Sequence, residues 1–303
     1  MIMLAPVVLF VYKRYDHTEK VLKALNENLL ARESELFIFC DGARAQKDVA
    51  DVERTRDVVR SFEKDNSFKK VEVRLAEKNS GLATSVINGV TEIINQYGSV
   101  IVLEDDLITS KDFLAYMNSA LDFYKDNQKV WSISGYSFFA PEGLDYPHDV
   151  YMTYRGCSWG WATWKDRWEL VDWAVSDYGR FRIDPLMRHR FTVSGNDMPG
   201  MLDCQMKGFI SSWAIRWCYE QNKRKMYTVF PKYTKIQNIG TDGSGTHSGN
   251  NHSYDVTLVD NVPCEFEHLD ADKGILKAYR AKFNIPLINR IKAYAKHVIL
   301  SKK

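Results

Sequence analysis

The chain has 303 residues, with 41 Lys and Arg against 39 Asp and Glu, and a formal net charge of +2, so it carries no electrostatic footprint of a nucleic-acid binder. Its length suits one large α/β domain or a core with a smaller appendage. The five cysteines (Cys40, Cys157, Cys204, Cys218, Cys264) are odd in number and lack C-x-x-C spacing, which argues for a reducing compartment and against a disulfide framework or a zinc site. No window reaches the roughly 18 apolar residues of a membrane helix. The opening M-I-M-L-A-P-V-V-L-F-V lacks a basic leader and a cleavage site and runs into strand-like sequence. A soluble cytoplasmic protein is expected.

Pro6 to Tyr12 is an apolar run that predicts a first strand, ending in Lys13, Arg14, Tyr15 and Asp16. Thr18 to Leu29 has helical periodicity through Val21, Leu22, Leu25 and Leu29. Leu36 to Cys40 repeats the strand pattern and delivers Asp41-Gly42. Val49 to Phe62 predicts a charged amphipathic helix, and Val71 to Leu75 a third strand. Glu77-Lys78-Asn79-Ser80-Gly81-Leu82 is a turn opening a helix from Ala83 to Tyr97. Next comes S-V-I-V-L-E-D-D-L, residues 99 to 107, a strand buried on both faces that runs into Glu104, Asp105 and Asp106. Phe113 to Tyr124 is the following helix. Strands alternating with helices imply right-handed βαβ units and a doubly wound, mostly parallel α/β sheet.

Each strand therefore drops polar groups at the carboxyl edge of the sheet, where open α/β sheets bind ligands. Three adjacent acids repel one another unless a cation or hydrogen-bond donors compensate them. One reading is a divalent metal holding a nucleotide diphosphate, with Lys13 and Arg14 on the phosphates, Asp41 accepting from a base or ribose, and Asn79 with Gly81 also at the donor, Gly81 permitting close backbone approach. The other is structural: Glu104 and Asp106 solvated, Asp105 capping a helix, Arg14 paired with Asp16, Asp41-Gly42 a turn and Asn79 a cap. The first strand is followed by no G-x-G-x-x-G, and the chain has no Walker-type G-x-x-x-x-G-K, so dinucleotide and P-loop readings are weak.

The order strand–K-R-x-D, strand–C-D-G, K-N-x-G-L and V-L-E-D-D-L, followed by a D-F-L-x-Y-M helix, resembles a GT-A-type glycosyltransferase over roughly residues 5 to 250. It is similar in particular to the N-acetylglucosaminyltransferases that initiate complex N-glycans and to bacterial haemolysin-like polysaccharide glycosyltransferases. The resemblance implies an enzyme that moves a sugar from a nucleotide-sugar donor, most readily a UDP-sugar, to a saccharide or lipid-linked saccharide acceptor, with inversion. It implies Mn2+ (or Mg2+) on Asp106, donor contacts from Glu104 and Asp105, and phosphate and uracil contacts from Arg14 and Asp41. It divides the chain into a donor half (residues 1–135), an acceptor and lid half of the same domain (136–260) and a C-terminal extension (261–303). The chemistry agrees with the residue types, because a hard cation on carboxylate and phosphate oxygens neutralises a departing diphosphate.

Further on, Val130 to Ser134 and Val150 to Tyr154 are strand candidates. In R-G-C-S-W-G-W-A-T-W-K-D-R-W, residues 155 to 168, the spacing of Trp161, Trp164 and Trp168 predicts one helical face packed in the core. Trp159 and Gly160 precede it where an indole could stack on a sugar, and a G-x-G-W segment beside the acceptor cleft of the resembling family assigns them to the acceptor. Ser211-Ser212-Trp213 predicts a cap and a helix running to Gln221. The resembling enzymes carry acids before that tryptophan, one of them the catalytic base, and serines stand here. Asp203 and then Asp242 are the substitute bases, since inversion needs a group within reach of the attacking hydroxyl. The glycine-rich stretch 237–251 has the composition of a donor-closing lid or of a plain surface loop, and its His247 is a candidate second ligand for the metal or the diphosphate. From Leu287 onward an apolar stripe faces Arg290, Lys292 and Lys296, a basic amphipathic helix suited to an anionic membrane surface or to packing on protein. Two rivals stand beside the transferase: a catalytically silent nucleotide- or carbohydrate-binding module, and a sugar nucleotidyltransferase. The latter usually carries a glycine-rich basic motif after strand one, and Pro6 to Asp16 has no glycine.

Overall fold

The computed structural model describes residues 4–139, 146–243, 254, 256–286 and 288. Strand β1 (Val7–Val11) is buried at every position, as an apolar run covered on both faces must be. Helix α1 (Tyr15–Asn26) buries Thr18, Val21, Leu22 and Leu25 and stops short of Leu29, which is 59% exposed. There follow β2 (Glu35–Cys40), α2 (Val49–Lys64), β3 (Lys70–Leu75), α3 (Leu82–Tyr97), β4 (Ser99–Glu104), β5 (Leu107–Thr109), α4 (Phe113–Tyr124) and β6 (Val130–Ser134). The second half adds β7 (Val150–Thr153), β8 (Trp161–Trp164), α5 (Lys165–Trp168), α6 (Tyr178–Ile183), α7 (Pro185–Arg190), α8 (Met198–Met206), α9 (Trp213–Lys223), β9 (Tyr227–Pro231), β10 (Ile236–Asn238) and α10 (Lys273–Phe283).

Among the described residues eight strands form one sheet in the order β3-β2-β1-β4-β8-β6-β9-β7. β1 pairs in parallel with β2 and β4, β2 with β3, and β6 with β9, whereas β8 runs antiparallel between β4 and β6 and β7 antiparallel to β9. The expected α/β architecture, a large and mostly parallel sheet flanked by helices, is therefore the one observed. Alternate residues of β1 supply two cores: Val7, Leu9 and Val11 meet α1 and α4 on one face, and Val8 and Phe10 meet α3 and α9 on the other. The sheet is continuous across residue 135, since β7, β8 and β9 complete it.

The expected helical face of tryptophans is corrected. Trp161 and Trp164 lie on strand β8, and only Trp168 is helical, in the single turn of α5. An inserted antiparallel strand has a side-chain period of two, so Trp161 enters one core and Trp164 the other, and all three indoles are buried. A third apolar cluster under α6, α7 and α8 contains Phe181, Phe191, Met198 and Leu202 and shares Ile215 and Tyr219 of α9. Helix α10, which the sequence reading did not anticipate, is capped by the Asp272 carboxylate accepting from the Gly274 and Ile275 N–H groups, and it buries Ile275, Tyr279 and Phe283. The basic stripe expected from Leu287 onward lies, apart from Ile288, outside the described residues.

Candidate functional site

Parallel pairing of β1 with β4, with Phe10 opposite Glu104, makes the chain leave both strands side by side at one edge. Arg14 follows β1 and the acidic triplet ends β4. The Arg14 guanidinium donates from Nε to Asp105 Oδ1 at 3.1 Å, bonds Asp105 again through Nη2, and reaches Asp106 Oδ2 from Nη2 at 2.9 Å. The Tyr12 N–H donates to the second oxygen of Asp105 at 3.4 Å. Asp105 is 4% exposed, so its carboxylate is spent on holding Arg14 in place. Arg14 pairs with this acid and not with Asp16, the partner expected in the structural reading.

Two of the three carboxylates, Asp105 and Asp106, thus share one guanidinium. Among the described residues the Glu104 carboxyl makes no hydrogen bond, and burial followed by the charges of Asp106 and Asp105 pushes it up to about 8. Burial also raises Asp106, against the pull of Arg14. Burial alone would lower Arg14, but Asp105 and Asp106 outweigh it and hold the guanidinium firmly charged.

A segment more than 130 residues further along the chain lies against Asp106. Strand β10 pairs antiparallel with β5, and beyond it the Ile239 N–H donates to the Asp106 carbonyl at 2.9 Å. A β-carbon on Gly240 would overlap Asp106 Oδ2 and stand 2.9 Å from Arg14 Nη1, so only glycine fits against this pair. Asp242 Oδ2 lies 3.2 Å from His17 Nε2, which also stands 3.3 Å from the Ile239 carbonyl. Gly240 and His17 were not singled out in the sequence. The glycine-rich composition of 237–251 was a signal for the first, whereas nothing local marks His17.

Asp41 anchors a second part of the edge. Its carboxylate accepts from the N–H groups of Gly42, Ser80 and Gly81, each at 2.9 Å, and from Asn79 Nδ2 at 3.0 Å. Asn79 also donates to the Gly42 carbonyl at 2.9 Å. A β-carbon on Gly42 would stand 2.5 Å from the Lys78 carbonyl carbon, so the two loops touch through glycine. Gly81, at φ +75, starts α3 in a conformation that L side chains rarely adopt. Asp41, Asn79 and Gly81 thus form one preorganised loop pair.

The remaining candidates fall elsewhere. Lys13 pairs with Asp48 at 2.7 Å, a carboxylate that also accepts from the Tyr12 hydroxyl at 3.2 Å, which ties the β1 exit to the loop after β2 and not to the acids. The Trp159 ring packs edge-on to Tyr136 and Tyr254, and Gly160, at φ +63, would drive a β-carbon into Ile236. Packing beneath β10 therefore accounts for that glycine. Asp203 is not brought to the triplet: it accepts from Arg188 at 2.8 and 3.1 Å and from the Tyr178 hydroxyl at 3.1 Å, a brace between α8, α7 and α6. Ser212 caps α9 by accepting from the Ile215 N–H at 3.3 Å. His247 lies outside the described residues. A surface cavity of about 260 Å³ between α4 and residues 261–266 shares no lining residue with the acidic edge.

Asp106, which only shares Arg14, and Glu104, whose carboxyl has no partner among the described residues, present hard oxygen donors, which suits a divalent cation such as Mn2+ or Mg2+. Among the described residues no three His, Cys, Asp or Glu side chains gather as a metal cage, so substrate oxygens and water would have to complete its shell.

No protein-family model and no curated protein matches the chain. Among solved structures it is similar to S. aureus TarS, at 16% identity and TM-score 0.33, over 48% of this chain and 24% of TarS. It is similar to a UDP-glucose pyrophosphorylase complexed with UDP-glucose, at 12% identity and TM-score 0.34, over 55% of this chain and 79% of that one. A third likeness is to the bifunctional glycosyltransferase WbbM, at 9% identity and TM-score 0.26, over 45% of this chain and 24% of WbbM.

Proposed function

We propose that the chain is a metal-dependent glycosyltransferase that moves a sugar from a nucleotide-sugar donor, most readily a UDP-sugar, to a saccharide or lipid-linked acceptor in surface polysaccharide synthesis, with inversion. The observation that carries the reading is the acidic edge itself: Glu104, Asp105 and Asp106 at the carboxyl end of β4, with Arg14 as the guanidinium among them. In this reading Asp106 and Glu104 hold Mn2+ (or Mg2+), which when bound offsets the charge that develops on a departing diphosphate. Arg14, fixed by Asp105, adds a permanent positive charge beside the phosphates. The Asp41 clamp presents Asn79 and Gly81 to the base and ribose. Of the two base candidates Asp242 is favoured, because its neighbour His17 also contacts the segment lying on Asp106. It takes the proton of the acceptor hydroxyl, and His17 orients it. Trp159 and Gly160 stay assigned to the acceptor side.

The test is a panel of nucleotide sugars assayed for binding and for slow donor hydrolysis, with Mn2+ and with chelator. Metal-dependent turnover of any donor supports the enzyme. Binding without turnover makes the chain a silent nucleotide-binding module, and release of pyrophosphate from a nucleoside triphosphate plus a sugar phosphate makes it a nucleotidyltransferase.

A further inference from the structure

Helices α6 and α7 follow one another with only Asp184 between them, and the Asp184 carboxylate accepts from the Leu186 and Met187 N–H groups. Its inner side is accounted for: Phe181 is fully buried, Met187 packs against the same cluster, and Arg188 lies over the Phe181 ring and bonds Asp203. The outer side is not. Ile183 is 74% exposed and Leu186 54% exposed, two large aliphatic side chains at the junction of the two helices. Helical spacing puts Arg180 one turn before Ile183 and Arg190 one turn after Leu186, on the same outward faces. Arg180 has 77% of its side chain exposed and only a 3.8 Å approach to Asp184, and Arg182, His189 and Arg190 are exposed too. The stretch 178–190 carries four arginines against one aspartate.

Exposed aliphatics placed singly need no explanation, but two of them on either side of Asp184–Pro185, with exposed arginines within a turn of each, have the chemistry of an interfacial anchor. The aliphatic side chains gain by leaving water for the headgroup boundary, and the guanidinium groups meet anionic phosphates. Charge complementarity selects this occupant over a neutral apolar partner. We propose that the α6–α7 junction docks the protein on an anionic phospholipid surface, with Ile183 and Leu186 inserted and Arg180, Arg182 and Arg190 on the headgroups. The surface is built from described residues and does not depend on the segment beyond residue 288.

Co-sedimentation of the full chain with phosphatidylcholine vesicles, with and without phosphatidylglycerol, tests it. Binding is expected only with the anionic lipid and weakens with salt. Each arginine at the surface is worth about fivefold in partitioning, so Arg180→Gln with Arg182→Gln and Arg190→Gln costs on the order of a hundredfold. Ile183→Ser with Leu186→Ser also releases the protein, and both exposed-site variants keep the wild-type melting curve. Equal binding to neutral vesicles, no binding at all, or retention by either variant overturns the proposal. A wild-type dimer that dissociates with Ile183→Ser and Leu186→Ser overturns it as well, making the junction an interface between copies.

Discussion

Arg14 Nη2 stands 2.9 Å from Asp106 Oδ2 while the same guanidinium is gripped by Asp105. Asp105 and Asp106 are adjacent in sequence but hold the arginine differently: one binds it through Nε and Nη2, the other through Nη2 alone. Arg14→Met leaves Asp105 buried without its partner, a change that costs about 3–5 kcal/mol when a buried pair is broken. Urea unfolding measures this loss, and Arg14→Lys recovers only part of it, because an ammonium lacks the fork that bonds both acids.

Replacing Asp106 separates metal from fold. Asp106→Asn keeps the shape and removes the charge, so Mn2+ with UDP should no longer raise the melting temperature. At one hundred times Kd a bound ligand adds about 2.7 kcal/mol of stability, which is readily seen in a thermal shift. An undiminished shift would assign the cation to another residue.

The two base candidates make opposite predictions. Asp242→Asn should lower turnover by about 10²–10⁴-fold with donor affinity kept, since it removes only proton transfer. Asp203→Asn should keep turnover and lose stability, because it breaks the Arg188 and Tyr178 brace. Steady-state kinetics beside thermal melts of both variants distinguish them.

Gly240→Ala inserts a methyl group where Asp106 and Arg14 stand. Overpacking of this kind costs about 1–3 kcal/mol, and the strain falls on the acidic centre. Donor binding should weaken along with the Tm, whereas Gly179→Ala, whose β-carbon meets nothing within 4 Å, should leave binding intact.

Glu104 gives the metal-free protein a pH signature. Its ordinary value is 4.5, and burial followed by the neighbouring acids raises it to about 8 in the folded chain. The folded state therefore holds a proton that the unfolded state has released, and stability falls as pH rises from about 4.5 to about 8. Urea midpoints across this window should decline for the wild type and decline less for Glu104→Gln. Saturating Mn2+ with UDP should restore stability at the upper end.

Legibility followed locality. The strands β1, β2 and β4 were readable because each is an unbroken apolar run, and their polar exits followed from where those runs stop. The pairing of Trp161 with one core and Trp164 with the other was not, since a four-residue run between helical-looking indoles carries no unambiguous period. The lid composition of 237–251 was legible, but the residues it would touch were not. His17 and Ile239 are 222 residues apart, and no local pattern connects them. The role of Asp41 was not readable from its own neighbours, since its carboxylate binds the distant loop at Asn79–Gly81.

The pairing of β10 with β5 also sets an order of events. During synthesis the carboxylates of β4 emerge early, next to strands that can already pair with them, whereas Ile239 and Gly240 emerge only after α5 to α9 and β9. Contacts of such sequence separation carry a loop-closure cost that must be met before they form, so the contact on Asp106 forms late. A chain halted before residue 236 would possess most of the sheet and every acid of the triplet, yet lack the segment that lies against Asp106. In the growing polypeptide, completion of the centre therefore reports that the whole span has folded.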